Sequence, residues 1–237
     1  MDQKKPPLVS IIIPAYQHAR ELPACLMSVF AQIMVDFEVI VINDGSTDDT
    51  DQAIEPFLSR LTYIKQENRG GNAARNRGFH EARGRFLLFC DADLILRPDC
   101  LHKMLVTLEQ HPAESYAYCS FRYGWKKFTF WPFDDERLRQ MNFIHTSSLI
   151  RSEHFPGFDE TIRKLQDWDL WLTMLEAGHR GVWIPEVLFR AIPHRGGIST
   201  WMPGIFYRIP WSRFGIRLPA IEKFHEAERI IKKKHGL

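Results

Sequence analysis

Short apolar runs alternate with longer amphipathic segments over the first half of the chain. β-branched runs such as 9–13 and 37–42 are typical of buried strands, whereas apolar residues three and four positions apart favour helices. The predicted strands are 9–13, 37–42, 61–64, 86–90 and 116–121, and the predicted helices are 21–32, 47–58, 72–82 and 98–110. Strands that alternate with helices in this way predict an α/β fold with a parallel sheet and right-handed crossovers.

The pattern changes after residue 121. Residues 122–133 are crowded with aromatic side chains, which favours either a loop or β-ribbon over a pocket or simply a piece of the core. The later predicted strands are 146–151, 181–184 and 187–191, and the later predicted helices are 167–177 and 219–234. The last helix is expected to be amphipathic, because its apolar residues share one face.

Length and composition predict one large domain, or one domain with an appendage. The chain has 237 residues with a 45% hydrophobic content, which is enough to bury a proper core. The expected domain covers residues 1–200 and has two parts, 8–119 and 120–200. Residues 201–237 are expected to form a basic, aromatic extension that ends in the amphipathic helix.

The net charge of +2 is unevenly spread, because the segment from Arg208 onwards carries +5 and the remainder −3. A neutral-to-acidic body does not favour nucleic-acid binding. No apolar stretch is long enough to span a membrane, and residues 1–7 lack the apolar centre of a signal peptide. The four cysteines form no C-x-x-C pair and favour free thiols in a reducing cytosol.

The central motif is the acidic pair Asp91 and Asp93, which follows the predicted strand 86–90 directly. In an open α/β sheet, ligands bind at the carboxyl ends of the strands. Two carboxylates one residue apart can bind a hard cation such as Mg²⁺ or Mn²⁺, which in turn can hold nucleotide phosphates. The pair alone is a weak signal, since Asp167 and Asp169 have the same spacing.

Two further strand ends are expected at the same edge. Asp44 precedes a tight glycine turn and could accept a hydrogen bond from a nucleotide base, while Tyr16 could line the base pocket. The simpler interpretation of Asp44 is a turn aspartate that caps the next helix. Arg75 could contact the base or the diphosphate, or could be an ordinary surface arginine.

Four segments, in this order, resemble those of family-2 glycosyltransferases with the GT-A fold. They are 9–16 (VSIIIPAY), 41–50 (VINDGSTDDT), 67–78 (ENRGGNAARNRG) and 89–93 (FCDAD). Each motif alone is common, but four in register are specific. The resemblance covers roughly residues 8–200 and implies a nucleotide-sugar-binding half at 8–119 and an acceptor-binding half at 120–200. It implies a Rossmann-like, mostly parallel nucleotide-binding sheet with antiparallel strands on the acceptor side and a C-terminal helix.

The same resemblance implies an inverting, metal-dependent transfer of a hexosyl or N-acetylhexosaminyl group in cell-envelope polysaccharide synthesis. The donor is a nucleoside-diphosphate sugar, with uridine as the expected base, and the acceptor is a glycan or a lipid-linked glycan. By position it assigns donor binding to Pro14, Ala15, Tyr16, Asp44, Asn68, Arg75, Asp91, Ala92 and Arg190. It assigns Mn²⁺ or Mg²⁺ binding to Asp93 and His194, and the role of general base to Asp167.

Some positions depart from the family pattern, and alternatives stay open. Gln166 stands where glutamate is usual, and the spacing from Arg190 to His194 is unusually wide. A non-catalytic nucleotide-sugar-binding protein is one alternative, and a sugar nucleotidyltransferase is a less favoured one. The basic extension indicates either peripheral contact with the inner face of a membrane or aromatic side chains that cover the sheet. Both interpretations are compatible with a cytoplasmic protein.

Overall fold

The computed structural model describes residues 6–33, 35–193 and 218–237, which form a mixed α/β fold. The strands are Val9–Ala15 (β1), Phe37–Asp44 (β2), Thr62–Gln66 (β3), Phe86–Phe89 (β4), Leu94–Leu96 (β5), Tyr116–Tyr123 (β6), Lys126–Phe128 (β7), Leu149–Arg151 (β8) and Gly181–Ala191 (β9). The helices are Leu22–Phe30 (α1), Thr50–Ile54 (α2), Gly71–Glu81 (α3), Cys100–Gln110 (α4), Asp135–Gln140 (α5), Gln166–Glu176 (α6) and Pro219–Lys234 (α7).

These strands form one sheet in the order β3-β2-β1-β4-β8-β6-β9-β5, with β7 paired to β6. The first four are parallel to one another, as their continuous β-branched and apolar sequences predict. Antiparallel pairs join β4 to β8, β6 to β8, β5 to β9 and β6 to β7, while β6 and β9 are parallel. The expected parallel half with antiparallel strands beyond it is confirmed.

Two apolar layers cover the sheet. One contains β1 side chains such as Ile11 and Ile13 with the buried faces of α1 and α4. The other contains Ile12, Phe89 and the buried face of α6, and Ile231 of α7 packs into it. Helix α3 lies very close to β1, since a Cβ on Gly78 would come within 2.3 Å of the Ile12 side chain. Glycine is therefore required for this approach.

The structure corrects three predicted elements. The predicted helix 47–58 is divided into α2 and a 3₁₀ helix, Glu55–Arg60. The strands predicted at 181–184 and 187–191 are one strand, β9, whose register against β6 shifts where Pro185 cannot donate a hydrogen bond. The predicted strand 146–151 shortens to β8, because the His145 ring and carbonyl accept bonds from Ser147 and Ser148 in a turn.

The aromatic segment 122–133 begins as a β-ribbon, as one of the sequence interpretations had it. Strand β6 continues to Tyr123, and β7 returns antiparallel to it after Gly124, which adopts a positive φ of 56°. Within the described ranges, no helix combines the length and apolar character that crossing a membrane requires.

Candidate active site

The parallel strands β2, β1 and β4 bring their carboxyl ends to one edge of the sheet. Ala15 of β1 pairs with Asn43 of β2, one residue before Asp44. On the other side, the Cys90 amide donates to the Ile12 carbonyl (2.9 Å), which sets Asp91 beside the end of β1. The predicted gathering of strand ends is therefore present, at the position where open α/β sheets bind ligands.

Asp44 organises the loop that follows β3. Its buried carboxylate accepts hydrogen bonds from Gln66 Nε2 (2.7 Å) and from the backbone amides of Arg69 (2.9 Å) and Gly70 (2.8 Å). Gly45, at a φ of +75°, permits this approach, since a Cβ there would lie 2.8 Å from the Asn68 amide nitrogen. The helix-capping interpretation of Asp44 is wrong, because Asp48 is the residue that accepts from the Thr50 amide of α2. Among the described residues, one donor contacts Oδ2 of Asp44, which leaves lone pairs for a ligand.

Gln17 joins the end of β1 to the turn after β2, a role that the sequence did not indicate. Its side-chain oxygen accepts from the amides of Thr47 (3.1 Å) and Asp48 (2.9 Å), and its own backbone has a positive φ of 59°. Such a conformation is uncommon for a residue other than glycine and is frequent at ligand sites. The preceding Tyr16 stays 47% exposed at this edge, while Ala15 is buried and Pro14 is half-buried.

Arg75 and Asp91 form an ion pair within the site. Arg75 Nη2 lies 2.6 Å from Asp91 Oδ1, with the side chains only 8% and 30% exposed. Burial alone would raise the pKa of Asp91, but the charge of Arg75 brings it below its usual value. The interpretation of Arg75 as a surface arginine is therefore wrong. Its Nε is buried and makes no hydrogen bond to any described residue.

Two asparagines on α3 fix the helix that carries Arg75. Asn72 Nδ2 donates to the carbonyls of Asp159 (2.8 Å) and Ile162 (3.0 Å). Asn76 exchanges two bonds with the backbone of Phe158, at 2.8 and 2.9 Å. The loop 157–162 thereby supports the helix that positions Arg75, although the sequence gives no local sign of the pairing.

Asp167 lies in the first turn of α6, on the opposite side of the site. The helix begins at Gln166 after Leu165, which has a positive φ of 58°. Burial raises the pKa of Asp167 above its usual value, and this effect outweighs the hydrogen bond from Asn142 and the charge of His145. Like that hydrogen bond and that charge, the position near a helix N-terminus favours the charged form of Asp167 and opposes the effect of burial. Asp167 is thus a partly desolvated carboxylate, as a general base requires.

His145 links the two acidic sides of the site, and the sequence had not singled it out. Its Nδ1 accepts from the Ser147 amide (3.0 Å), so the neutral ring carries its proton on Nε2. The ring packs on Phe121 and Phe189, with centroids 4.8 and 5.1 Å away. Burial lowers the pKa of His145, although the charges of both Asp91 and Asp167 act to raise it.

Two tryptophans hold the loop that carries Asn142 and His145 against α6. Trp168 Nε1 donates to the Leu138 carbonyl (2.6 Å), and Trp171 Nε1 donates to the Ile144 carbonyl (2.9 Å). Both indoles are buried, and Trp171 also stacks on Tyr116 at 4.4 Å. The surroundings that raise the pKa of Asp167 are therefore fixed by tertiary contacts of its own helix.

Asp169, two residues after Asp167 in α6, has a structural role. It is buried with the His235 ring, whose Nε2 lies 2.9 Å from Asp169 Oδ1, while Lys234 Nζ lies 2.8 Å from the same oxygen. Glu176 and Asp159 complete this cluster at 2.7 Å from His235 Nδ1 and Lys234 Nζ respectively. The cluster joins the end of α7 to α6 and to the loop 157–162.

The remaining predicted residues are dispersed around the edge. Asn68 and Arg190 are exposed, and Asp93 is partly buried in the turn after β4. Ala92 is buried in the core, so only its backbone can meet a ligand. His194 lies outside the described residues.

A family model described as glycosyl transferase family 2 matches residues 10–166. A chondroitin synthase of Escherichia coli is 29% identical over 193 residues, which cover 74% of this chain and 27% of that protein. A PGL/p-HBAD biosynthesis glycosyltransferase of Mycobacterium tuberculosis is 30% identical over 231 residues, covering 90% of this chain and 88% of that protein. The chain thus spans only about a quarter of the synthase but nearly all of the mycobacterial relative.

Solved structures share the fold. TarS of S. aureus in complex with UDP has a TM-score of 0.68 at 20% identity, over 84% of this chain and 62% of that one. The mannosyltransferase PcManGT of Pyrobaculum calidifontis, in complex with GDP-Man and Mn²⁺, has a TM-score of 0.65 at 22% identity, over 81% and 59% of the two chains. The expected GT-A architecture is confirmed by these likenesses.

Proposed function

The chain belongs to the family-2 glycosyltransferases, and we propose that it transfers a sugar from a nucleoside-diphosphate sugar to an acceptor hydroxyl with inversion. The observation that supports this most is the different state of the two acids on either side of His145. Arg75 lowers the pKa of Asp91, whereas burial raises the pKa of Asp167. One acid is thereby suited to hold the donor as an anion, and the other is suited to take up a proton.

On the donor side, Asp44 would accept a hydrogen bond from the base, and Tyr16 would pack against it. Arg75 would contact the base or the diphosphate, and Asp91 would accept from a ribose hydroxyl. Further contacts would come from Pro14, Ala15, Asn68, the Ala92 backbone and Arg190. Structures of the same fold were solved with UDP, UDP-GlcNAc and GDP-Man, which supports this donor class; we propose uridine as the base.

The residues at this edge fit a divalent cation. Asp93 offers oxygen ligands, which Mg²⁺ and Mn²⁺ prefer. Within the ranges that the structure describes, no cluster of three or more ligating side chains occurs. Such a cluster is not needed, since Mg²⁺ is commonly held by one or two carboxylates together with substrate phosphates. Asp93 would bind the ion, and His194 is proposed as a second ligand. When bound, the ion would neutralise charge on the diphosphate.

In the proposed reaction, Asp167 accepts the proton of the acceptor hydroxyl, while the oxygen of that hydroxyl forms a bond to the anomeric carbon of the donor sugar. The bond from that carbon to the diphosphate breaks, and the diphosphate leaves from the opposite face, which inverts the configuration. Only one carboxylate needs to move a proton. The guanidinium of Arg75, held by Asp91, would place a positive charge near the departing oxygens.

The acceptor is proposed to be a glycan or a lipid-linked glycan of the cell envelope. The hexosyl or N-acetylhexosaminyl group and the linkage are set by the half of the chain that begins near residue 120. A peripheral contact with the inner face of a membrane is proposed for the extension 201–237. Helix α7 exposes Lys223, Arg229 and Lys233, and anionic lipids attract such basic segments.

A thermal-shift panel of nucleoside diphosphates and their sugars, with and without Mn²⁺, tests the proposal. A ligand at about 100 times its Kd adds about 2.7 kcal/mol, which is a shift of several degrees for a chain of this size. Asp93→Asn should lose the Mn²⁺-dependent part of the shift, whereas Asp99→Asn, at a carboxylate paired with Arg97 away from this edge, should keep it. Absence of a shift with every nucleotide would contradict the proposal.

A further inference from the structure

Three cationic side chains form a row across neighbouring strands on the acceptor side. Arg122 of β6 is in register with Arg190 of β9, and the same Arg122 lies opposite Lys127 of β7. Residues in register across a sheet point to the same face, and neighbouring strands lie about 4.8 Å apart. Arg190, Arg122 and Lys127, here called the basic row, therefore present three positive charges in a line.

The basic row has no counter-charge in the described part of the chain. All three side chains are exposed, and none of the ion pairs among described residues includes them. Like charges directly opposite one another destabilise a strand pair. The row therefore has an energetic cost in the isolated protein, and a bound anion would remove that cost.

The ribbon around the basic row suits an anionic sugar chain. No aspartate or glutamate occurs between Glu114 and Asp134, so the ribbon has an excess of positive charge. At its tip, Trp125 is 90% exposed. An exposed indole offers a flat apolar face with a polar edge, which suits the mixed surface of a sugar ring.

The basic row begins beside the proposed catalytic edge. Ala191, the residue after Arg190, pairs with Leu94, the residue after Asp93. The Ile192 amide also donates to the Asp93 carbonyl (2.9 Å). From there the row runs across the neighbouring strands through Arg122 to Lys127.

We propose that the basic row binds the negative groups of an extended anionic glycan, which is the acceptor chain of the proposed reaction. This inference rests on the proposed function for the identity of the chain as acceptor. Arg190 lies closest to the site and is shared with the donor diphosphate, whereas Arg122 and Lys127 contact the acceptor alone. The anionic groups are carboxylates or phosphodiesters, which arginine and lysine recognise by the same chemistry.

The test compares the wild type with the double variant Arg122→Gln/Lys127→Gln. The matched control is Arg229→Gln/Lys233→Gln, which removes one arginine and one lysine from the exposed face of α7. Fluorescence anisotropy would measure binding of a labelled oligogalacturonate, a glycerol-phosphate oligomer and a neutral maltooligosaccharide of equal length. Co-sedimentation with phosphatidylglycerol vesicles would measure binding to an anionic membrane.

The wild type should bind at least one of the anionic oligomers, and more weakly as salt rises. The double variant should bind that oligomer about tenfold more weakly, since each exposed charge contact is worth up to about 1 kcal/mol. In oligomer binding the control should match the wild type, and the neutral oligomer should not distinguish the three proteins. The double variant should also melt at or above the wild-type temperature, because a repulsion is removed.

Equal binding of both anionic oligomers by the wild type and the double variant would overturn the inference. So would vesicle binding that depends on Arg122 and Lys127 without binding of either oligomer, since the surface would then be a membrane contact. The nucleotide thermal shift is measured on the same proteins. An anionic oligomer could bind through Arg122 and Lys127 although no nucleotide shifts the melting temperature. That result would contradict the proposed function but would still support an anion-binding site at the basic row.

Discussion

The turn after β4 and the first turn of α6 carry the same Asp-x-Asp pattern, yet their carboxylates have opposite surroundings. In the β4 turn the first acid, Asp91, is paired with Arg75 at 2.6 Å. In α6 it is the second acid, Asp169, that is paired, with Lys234 at 2.8 Å and His235 at 2.9 Å. Asp167 has burial and neutral hydrogen-bond donors in place of a cation.

This difference shows that spacing alone does not set the role of a carboxylate. A cation at hydrogen-bond distance keeps an acid ionised and fixes it in place, which suits structure or ligand binding. Burial without a cation raises the pKa, which suits proton transfer. The partners come from distant parts of the chain, so the two Asp-x-Asp sites diverge through tertiary contacts.

The largest expected effect is that of Asp167→Asn on turnover. Loss of a general base costs about 10²- to 10⁴-fold in kcat, while nucleotide binding on the other side of His145 should stay unchanged. The variant should unfold at the wild-type temperature or above it, because it no longer buries a carboxylate whose charged form is disfavoured. Steady-state kinetics and the nucleotide thermal shift measure both effects.

The pH dependence of the same reaction sharpens this prediction. A base works when it is deprotonated, so the rate should fall as the pH drops through the pKa of Asp167. Because burial raises that pKa, the acidic limb of kcat should lie above the value of about 3.9 of an ordinary aspartate. Equal turnover of Asp167→Asn and the wild type would refute the base.

Much of the donor side could be predicted from the sequence, because it depends on local order along the chain. A buried strand followed by an acid specifies both the element and the edge, which is why Asp44 and Asp91 converge as expected. Strand lengths were less predictable where a side-chain hydrogen bond ends the strand. An example is the bond from the Ser147 amide to the His145 ring, which forms a turn and shortens β8.

The acceptor side was less predictable for a physical reason. His145 belongs to the site because Trp168 and Trp171 hold its loop, and Asp169 is structural because residues 65 and 66 positions away reach it. Neither relation leaves a periodic pattern in the sequence. The basic row is visible only once the register of β6, β7 and β9 is known.

A smaller effect, on stability, is expected for the neighbouring acid. Asp169→Asn removes the charge that faces Lys234 and His235 in a buried cluster, and breaking such a pair costs about 3 kcal/mol. The melting temperature should fall by about 10 °C, while the folded variant keeps its turnover. If Asp169→Asn loses turnover without loss of stability, the two acids of α6 have been assigned the wrong way round.

The smallest effect concerns the rim of that cluster, where Lys234 bonds Asp159 at 2.7 Å. The hydrogen bond from Lys234, with that from Thr161, lowers the pKa of Asp159 to about 2. Since this folded-state pKa lies below the unfolded value of about 3.9, the contact stabilises the protein above about pH 4. The stabilisation is lost as the pH falls towards 2.

Asp159→Asn should therefore lower the free energy of unfolding at pH 7 by about 1 kcal/mol, as expected for a partly exposed pair, and it leaves the contact of Lys234 with Asp169 in place. The difference from the wild type should narrow in urea titrations carried out at successively lower pH, because the protonated Asp159 of the wild type no longer attracts Lys234. Asp36→Asn is the matched control, since Asp36 is exposed and has no cation within ion-pair distance in the described ranges. A difference that stays constant down to pH 3 would mean that the charge of Asp159 does not join α7 to the loop 157–162.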